Sequence, residues 1–150
     1  MPAQANLGFR TFEDLEVYQA AREFRKAMYA VARRLPDFEK FELATQIRRA
    51  AVSLTNNLAE AHGRYHYPDQ LRFILYSRGS VEELIDDLNV CLDEQYVPTG
   101  QIEELKRNSC RVLSLINGYG RYLRTRKSYQ QAILHDLPPA TEPIEDDDPF

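Results

Sequence analysis

Apolar residues at heptad spacing constrain this chain more than any other feature. Val17, Ala21, Phe24, Met28, Val31 and Leu35 are separated by steps of 4, 3, 4, 3 and 4. Ile102, Leu105, Ser109, Val112, Ile116, Tyr119 and Leu123 continue the same alternation of 3 and 4. Such steps place one stripe along one side of a 3.6-residue helix, whereas a strand needs a period of two. Two more runs form apolar helical faces. Leu43, Ile47, Ala50, Leu54, Leu58 and Ala61 make one; Ile74, Val81, Leu84, Ile85, Leu88 and Leu92 make the other.

Proline and glycine cut the pattern into four pieces. Pro36 stops the first, Gly63 the second, Pro68 opens the third and Pro98 precedes the fourth. Thr11 and Asp14 have capping-box spacing. Asp37 is a candidate cap for the second helix, with Glu39 and Glu42 suited to its N-terminal dipole. Thr99 is the expected cap of the fourth. The pattern predicts helices over about residues 13–35, 41–62, 68–96 and 99–130. Short loops between long helices define an all-α, antiparallel up-down four-helix bundle over residues 1–136. At 150 residues the chain makes one domain.

Charge is distributed unevenly along this frame. The segment 137–150 holds Glu142, Glu145, Asp146, Asp147 and Asp148, no base, and four prolines. It reads as a disordered acidic tail, with autoinhibition over a basic surface as the sharper alternative. Taking its five acids from the chain's 23 leaves 18 against 19 bases, a body of net +1. Within that body, the third helix has two bases and seven acids, and the fourth has seven bases and two acids.

Other classes find no support. The chain has two cysteines, Cys91 and Cys110, too few for a disulfide scaffold or a cysteine-based zinc cluster. Both fall on or near apolar seams and read as buried free thiols. His62 and His66 lie around the second loop without a Glu-x-x-His partner motif, so no metal or cofactor is expected. No nucleophile motif, phosphate loop or dinucleotide fingerprint occurs, so no catalytic residue is assigned and no enzyme is expected. The acids Glu82, Glu83, Asp86 and Asp87 cluster, but as a solvated or pairing face. No apolar run reaches membrane-spanning length, and the first residues lack the regions of a signal peptide, so a cytoplasmic protein is expected.

The segment from Gln46 to Ala61, Q-I-R-R-A-A-V-S-L-T-N-N-L-A-E-A, resembles a "Q-x-R-R-A-A-V-S-x-P-x-N-I-A-E-G" pattern. Gly79 to Leu84, G-S-V-E-E-L, resembles "G-S-x-x-E-L". Together with Phe12–Ala21 and Leu35–Phe41, these are similar to four-helix-bundle proteins first noted in intervening sequences of bacterial large-subunit ribosomal RNA genes. Thr55 stands where that family has Pro, Ala61 where it has Gly, and Glu42 where Gly is frequent. Thr55 should make the second helix straighter. The resemblance implies a homopentameric ring. At fold level only, the chain is similar to accessory variability proteins of diversity-generating retroelements, which implies RNA or DNA and a reverse transcriptase as partners to consider.

Three candidate surfaces follow. Arg107, Arg111, Arg121, Arg124, Arg126 and Lys127 form a basic stripe on the fourth helix, with small residues Ser114, Asn117 and Gly118 between them. It is suited to a phosphate backbone, with Tyr122 and Tyr129 available to stack bases. The alternative is that this charge meets the acids of the third helix and sets subunit pairing in a purely structural ring. Arg48, Arg49, Asn57 and Glu60 are expected to form a buried polar network. Phe38, Phe41, Tyr76 and Tyr96, off the main seams, are candidate subunit contacts. Gly79 and Ser80 interrupt the third helix, with close helix–helix approach the plain explanation and approach of a ligand the sharper one.

Overall fold

The computed structural model describes residues 11–135 and Pro149. Helix α1 spans Glu16–Arg34, α2 Leu43–His62, α3 Tyr67–Asp93 and α4 Thr99–His135. The helices neighbour one another in the order α1–α2–α3–α4, and α1 also packs on α4. Short connections and this closed order make an antiparallel up-down four-helix bundle. Among the described residues there is no strand. The acidic tail expected over 137–150 lies outside the described residues apart from Pro149.

Local chemistry explains the helix ends. Thr11 and Asp14 form the expected capping box, with Thr11 Oγ1 accepting from Glu13 N at 3.2 Å and Asp14 Oδ2 accepting from Thr11 N at 3.3 Å. The box sits on a single 3₁₀ turn, Phe12–Asp14, so α1 itself starts later than expected. Asp37 does not cap α2; Glu39 Oε2 accepts from Leu43 N at 3.1 Å instead. At α4 the carbonyl of Pro98 accepts from Gln101 N and Ile102 N, so Thr99 is the first helical residue and not the cap.

Helix α3 ends three residues before Tyr96. Gln95 takes a left-handed conformation, φ 59°. Tyr96 N then donates to Cys91 O at 2.9 Å and Gln95 N to Leu92 O at 3.1 Å. This pair of bonds is a Schellman closure, usually built on glycine. Helix α4 runs past 130 to His135.

The heptad seams meet at the centre. Every apolar residue expected on α2 is buried, as is the whole α4 seam from Ile102 to Leu123. On α1 only the last member, Leu35, is half-buried, and on α3 Ile85 and Leu92 are. Helices α2 and α3 share the most extensive contact. Hydroxyls tie it. Buried Ser77 donates to Leu54 O at 2.7 Å. Ser80 Oγ lies 2.9 Å from Ser53 Oγ, which also accepts from Asn57 Nδ2 at 2.9 Å.

Gly79 takes no part in that approach. It faces outward, and a Cβ built there would meet no atom within 4 Å. The close approach belongs to Ser77 and Ser80. Thr55 is buried on the other side of α2, where its Oγ1 accepts from Arg25 Nη1 of α1 at 2.8 Å.

Asp87 is the one carboxylate among the described buried residues. Burial first, then the neighbouring charges of Asp86 and Glu83, push its pKa up to about 6 from 3.8. A carboxyl with a raised folded pKa binds more protons in the native state than in the unfolded one between those values. Stability is therefore lost as pH rises through that window and regained as pH falls. Asp87→Asn should stabilise the bundle by about 1–2 kcal/mol at pH 7.5, allowing for solvent screening. The gain should shrink toward pH 4 in urea titrations. An equal effect at both pH values would contradict this account.

Candidate functional site

The α4 bases do not form one continuous stripe. Arg107, Arg111 and Arg121 are exposed on the outward side. Arg111 reaches Glu16 of α1 at 3.8 Å, both side chains more than two-thirds exposed, so the pair holds it weakly. Arg121 folds back over Gly118, where a Cβ would lie 3.9 Å from its Nη2. The gap read from Ser114, Asn117 and Gly118 is thus partly roofed. Arg124 is half-buried and Arg126 exposed. Lys127 turns toward α3, with Nζ 5.2 Å from the Tyr67 ring centre.

Tyr122 stands exposed on the same helix and lies nearly parallel to buried Tyr119, ring centres 6.3 Å apart. Burial of Tyr119, followed by Tyr122, pushes its phenol up to about 12, with Arg126 pulling the other way. Tyr119 is thus a neutral floor under Tyr122. Asn117 Oδ1 is buried without a hydrogen-bond partner. The side chain of Tyr129 lies outside the described residues.

The four residues expected to share a buried network are not brought together. Glu60 is exposed and pairs with Arg64 one turn later. Arg48 donates to Lys40 O at 3.3 Å and Thr45 Oγ1 at 3.2 Å. Arg49 is exposed and Asn57 bonds Ser53. The polar contacts between α2 and α3 are made instead by Ser80 on Ser53, which also accepts from Asn57, and separately by Ser77 on Leu54 O.

Arg48, Arg49 and Asn57 nevertheless share a different feature. With Tyr29, Val52, Ser53 and Asn56 they line a groove of about 570 Å³ on the α1–α2 side, and no acid lines it. Arg33 of α1 lies 6.0 Å from the Tyr29 ring centre. Arg22, Arg25, Tyr29 and Arg33 step by 3, 4 and 4. None of Arg22, Arg25, Arg33, Arg48 or Arg49 enters an ion pair among the described residues. Helix α1 carries five bases against Glu16 and Glu23, a net of +3 that the uneven charge of α3 and α4 overshadows. A helical wheel shows the α1 stripe but not the groove, which needs α2 beside it.

The remaining candidates fall into place. Cys91 is buried, and burial, then Asp87 and Glu39, raise its thiol to about 11. Cys110 is exposed, against expectation: it stands one position beyond the seam residue Ser109 and so turns outward. Phe38, Phe41 and Tyr76 are exposed. Tyr96 is half-buried, its hydroxyl donating to Glu39 Oε1 at 3.4 Å with its ring edge-on to Phe38. His62 and His66 are exposed, and the described residues contain no cluster able to hold a metal ion. Among the described residues no helix is long and apolar enough to cross a membrane.

These features define a small all-helical bundle with charged outer faces. The family model described as 23S rRNA-intervening sequence protein matches residues 13–118. The chain belongs to that family. Among curated proteins none matches it.

The two thiols should separate cleanly in solution. Ellman's reagent should titrate about one thiol per native chain at pH 8 and both after unfolding, because reaction needs an accessible thiolate. Cys110→Ser should abolish the native reaction. Native reaction of both thiols in that assay would contradict the burial of Cys91.

Proposed function

We propose that the chain is a non-enzymatic, cytoplasmic subunit of a homo-oligomeric scaffold, a pentamer by the family resemblance, that binds RNA or DNA on the outer face of α4. One observation carries the reading: Arg107, Arg111 and Arg121 stand exposed along one outward face, beside exposed Tyr122. Ten residues of helix separate Arg111 from Arg121, about 15 Å, a span over which a nucleic-acid backbone presents several phosphates. Arginine guanidinium groups suit phosphate oxygens bidentately, and a tyrosine held by a second ring offers a stacking platform. Such contacts favour any sequence over none and leave selectivity to a protein partner. The retroelement analogy makes a reverse transcriptase the first protein partner to test.

Arg107→Glu, Arg111→Glu and Arg121→Glu combined should weaken single-stranded RNA binding at least about tenfold at 0.1 M salt. The slope of log K against log salt should fall by about 2, at 0.7 per lost phosphate contact. Fluorescence anisotropy across a salt series reads both. An unchanged affinity and slope would remove the α4 face from the function.

A further inference from the structure

Gly79 sits in the middle of α3 with nothing in its own chain to explain it. Glycine inside a helix costs about 1 kcal/mol relative to alanine. A Cβ here would meet no atom within 4 Å, so packing within the subunit does not require its absence. Gly79 lies on an outward stripe with Leu75, Glu82, Glu83, Asp86 and Val90, spaced by helical steps of three and four. Leu75 and Val90 are 36% and 37% exposed and flank the acids on this stripe. Glu82, Glu83 and Asp86 are exposed and enter no ion pair among the described residues. The stripe is apolar at both ends, acidic along its middle, and open to backbone approach at Gly79.

The α1–α2 groove has the complementary character. It is basic, carries exposed Val52 among its polar lining, and holds no acid. We infer that the outer face of α3 docks on the α1–α2 groove of a second copy of this chain. Gly79 marks the close approach, and Glu83 and Asp86 face Arg33 and Arg49 of the neighbour. The inference rests on the homo-oligomeric reading above and supplies its interface.

Three arguments favour this occupant. The charges complement each other, and an assembled pair would remove uncompensated charge from both faces. A glycine lets two backbones approach where any side chain would hold them apart. The two faces are different surfaces of the chain, so the contact is head-to-tail and can close into a ring. A nucleic acid in the groove would account for the arginines but not for the acids or for Gly79. Helix α4 lies outside both faces and stays open in the ring.

Sedimentation velocity on nuclease-treated full-length protein tests this, with far-UV circular dichroism as the check on folding. Gly79→Gln should keep full helicity, since the site is open and glutamine favours helix. It should raise the concentration for half-dissociation more than about tenfold. Glu83→Arg with Asp86→Arg should do the same, as should Arg33→Glu with Arg49→Glu. All four changes in one chain should restore assembly to within about threefold of wild type, because the charge pairs are then reversed together. Should a charge variant lose helicity, Gly79→Gln alone decides. An oligomer whose mass survives every variant would overturn the interface while leaving the oligomeric reading intact. Loss of RNA binding with unchanged mass in Arg33→Glu/Arg49→Glu would overturn it in favour of nucleic acid in the groove. A monomeric wild type would overturn the oligomeric reading itself.

Discussion

The approach of α2 to α3, tied by serines, is the constraint on which the other features depend. The two helices share the most extensive contact in the bundle. Hydroxyls then fix register, because Ser77 can reach Leu54 O and Ser80 can reach Ser53 only when the turns align. Each bond contributes roughly 1 kcal/mol net. Their larger effect is selectivity, since a slipped register would strand buried hydroxyls. Fixing α2 in this way turns Arg48, Arg49 and Val52 toward the α1 side, and fixing α3 turns Gly79 and its acids outward.

Charge is therefore segregated by geometry and not only by sequence. The α2 bases Arg48 and Arg49 line one groove beside Tyr29 of α1, while the acids of α3 spread on a separate face. The α4 bases are divided: some outward, one tied loosely to α1, one turned to the Tyr67 ring. Separate surfaces of opposite sign suit a particle that joins its own copies by one pair of faces and meets a polyanion with another. Helix α4, the longest element, offers the surface that the other two leave uncovered.

The fold was largely legible because heptad spacing and proline punctuation act locally. Six of six α2 seam residues are buried where the period put them. Helix ends were less legible, since a cap depends on backbone angles. Gln95 accepts a left-handed conformation that composition alone would assign to glycine, and Pro98 supplies a carbonyl cap no side-chain rule anticipates. The site was read less well. Adjacent Arg48 and Arg49 suggested burial with Glu60, but Glu60 pairs with Arg64 just beyond the end of its own helix. The arginine groove needs two helices to be placed side by side before it exists. Of α1 only Tyr29 lines it; the stripe Arg22, Arg25, Tyr29 and Arg33 is visible in the sequence, but only the packing of α1 on α2 sets that stripe beside the other arginines.

The most direct measurement is the absolute mass of natively purified protein by light scattering, with the 260/280 nm absorbance ratio recorded before and after nuclease treatment. The account predicts a closed multi-subunit particle, five chains of 17.4 kDa by family resemblance, whose protein mass survives nuclease while its absorbance ratio falls. A 17.4 kDa species free of nucleic acid would contradict it.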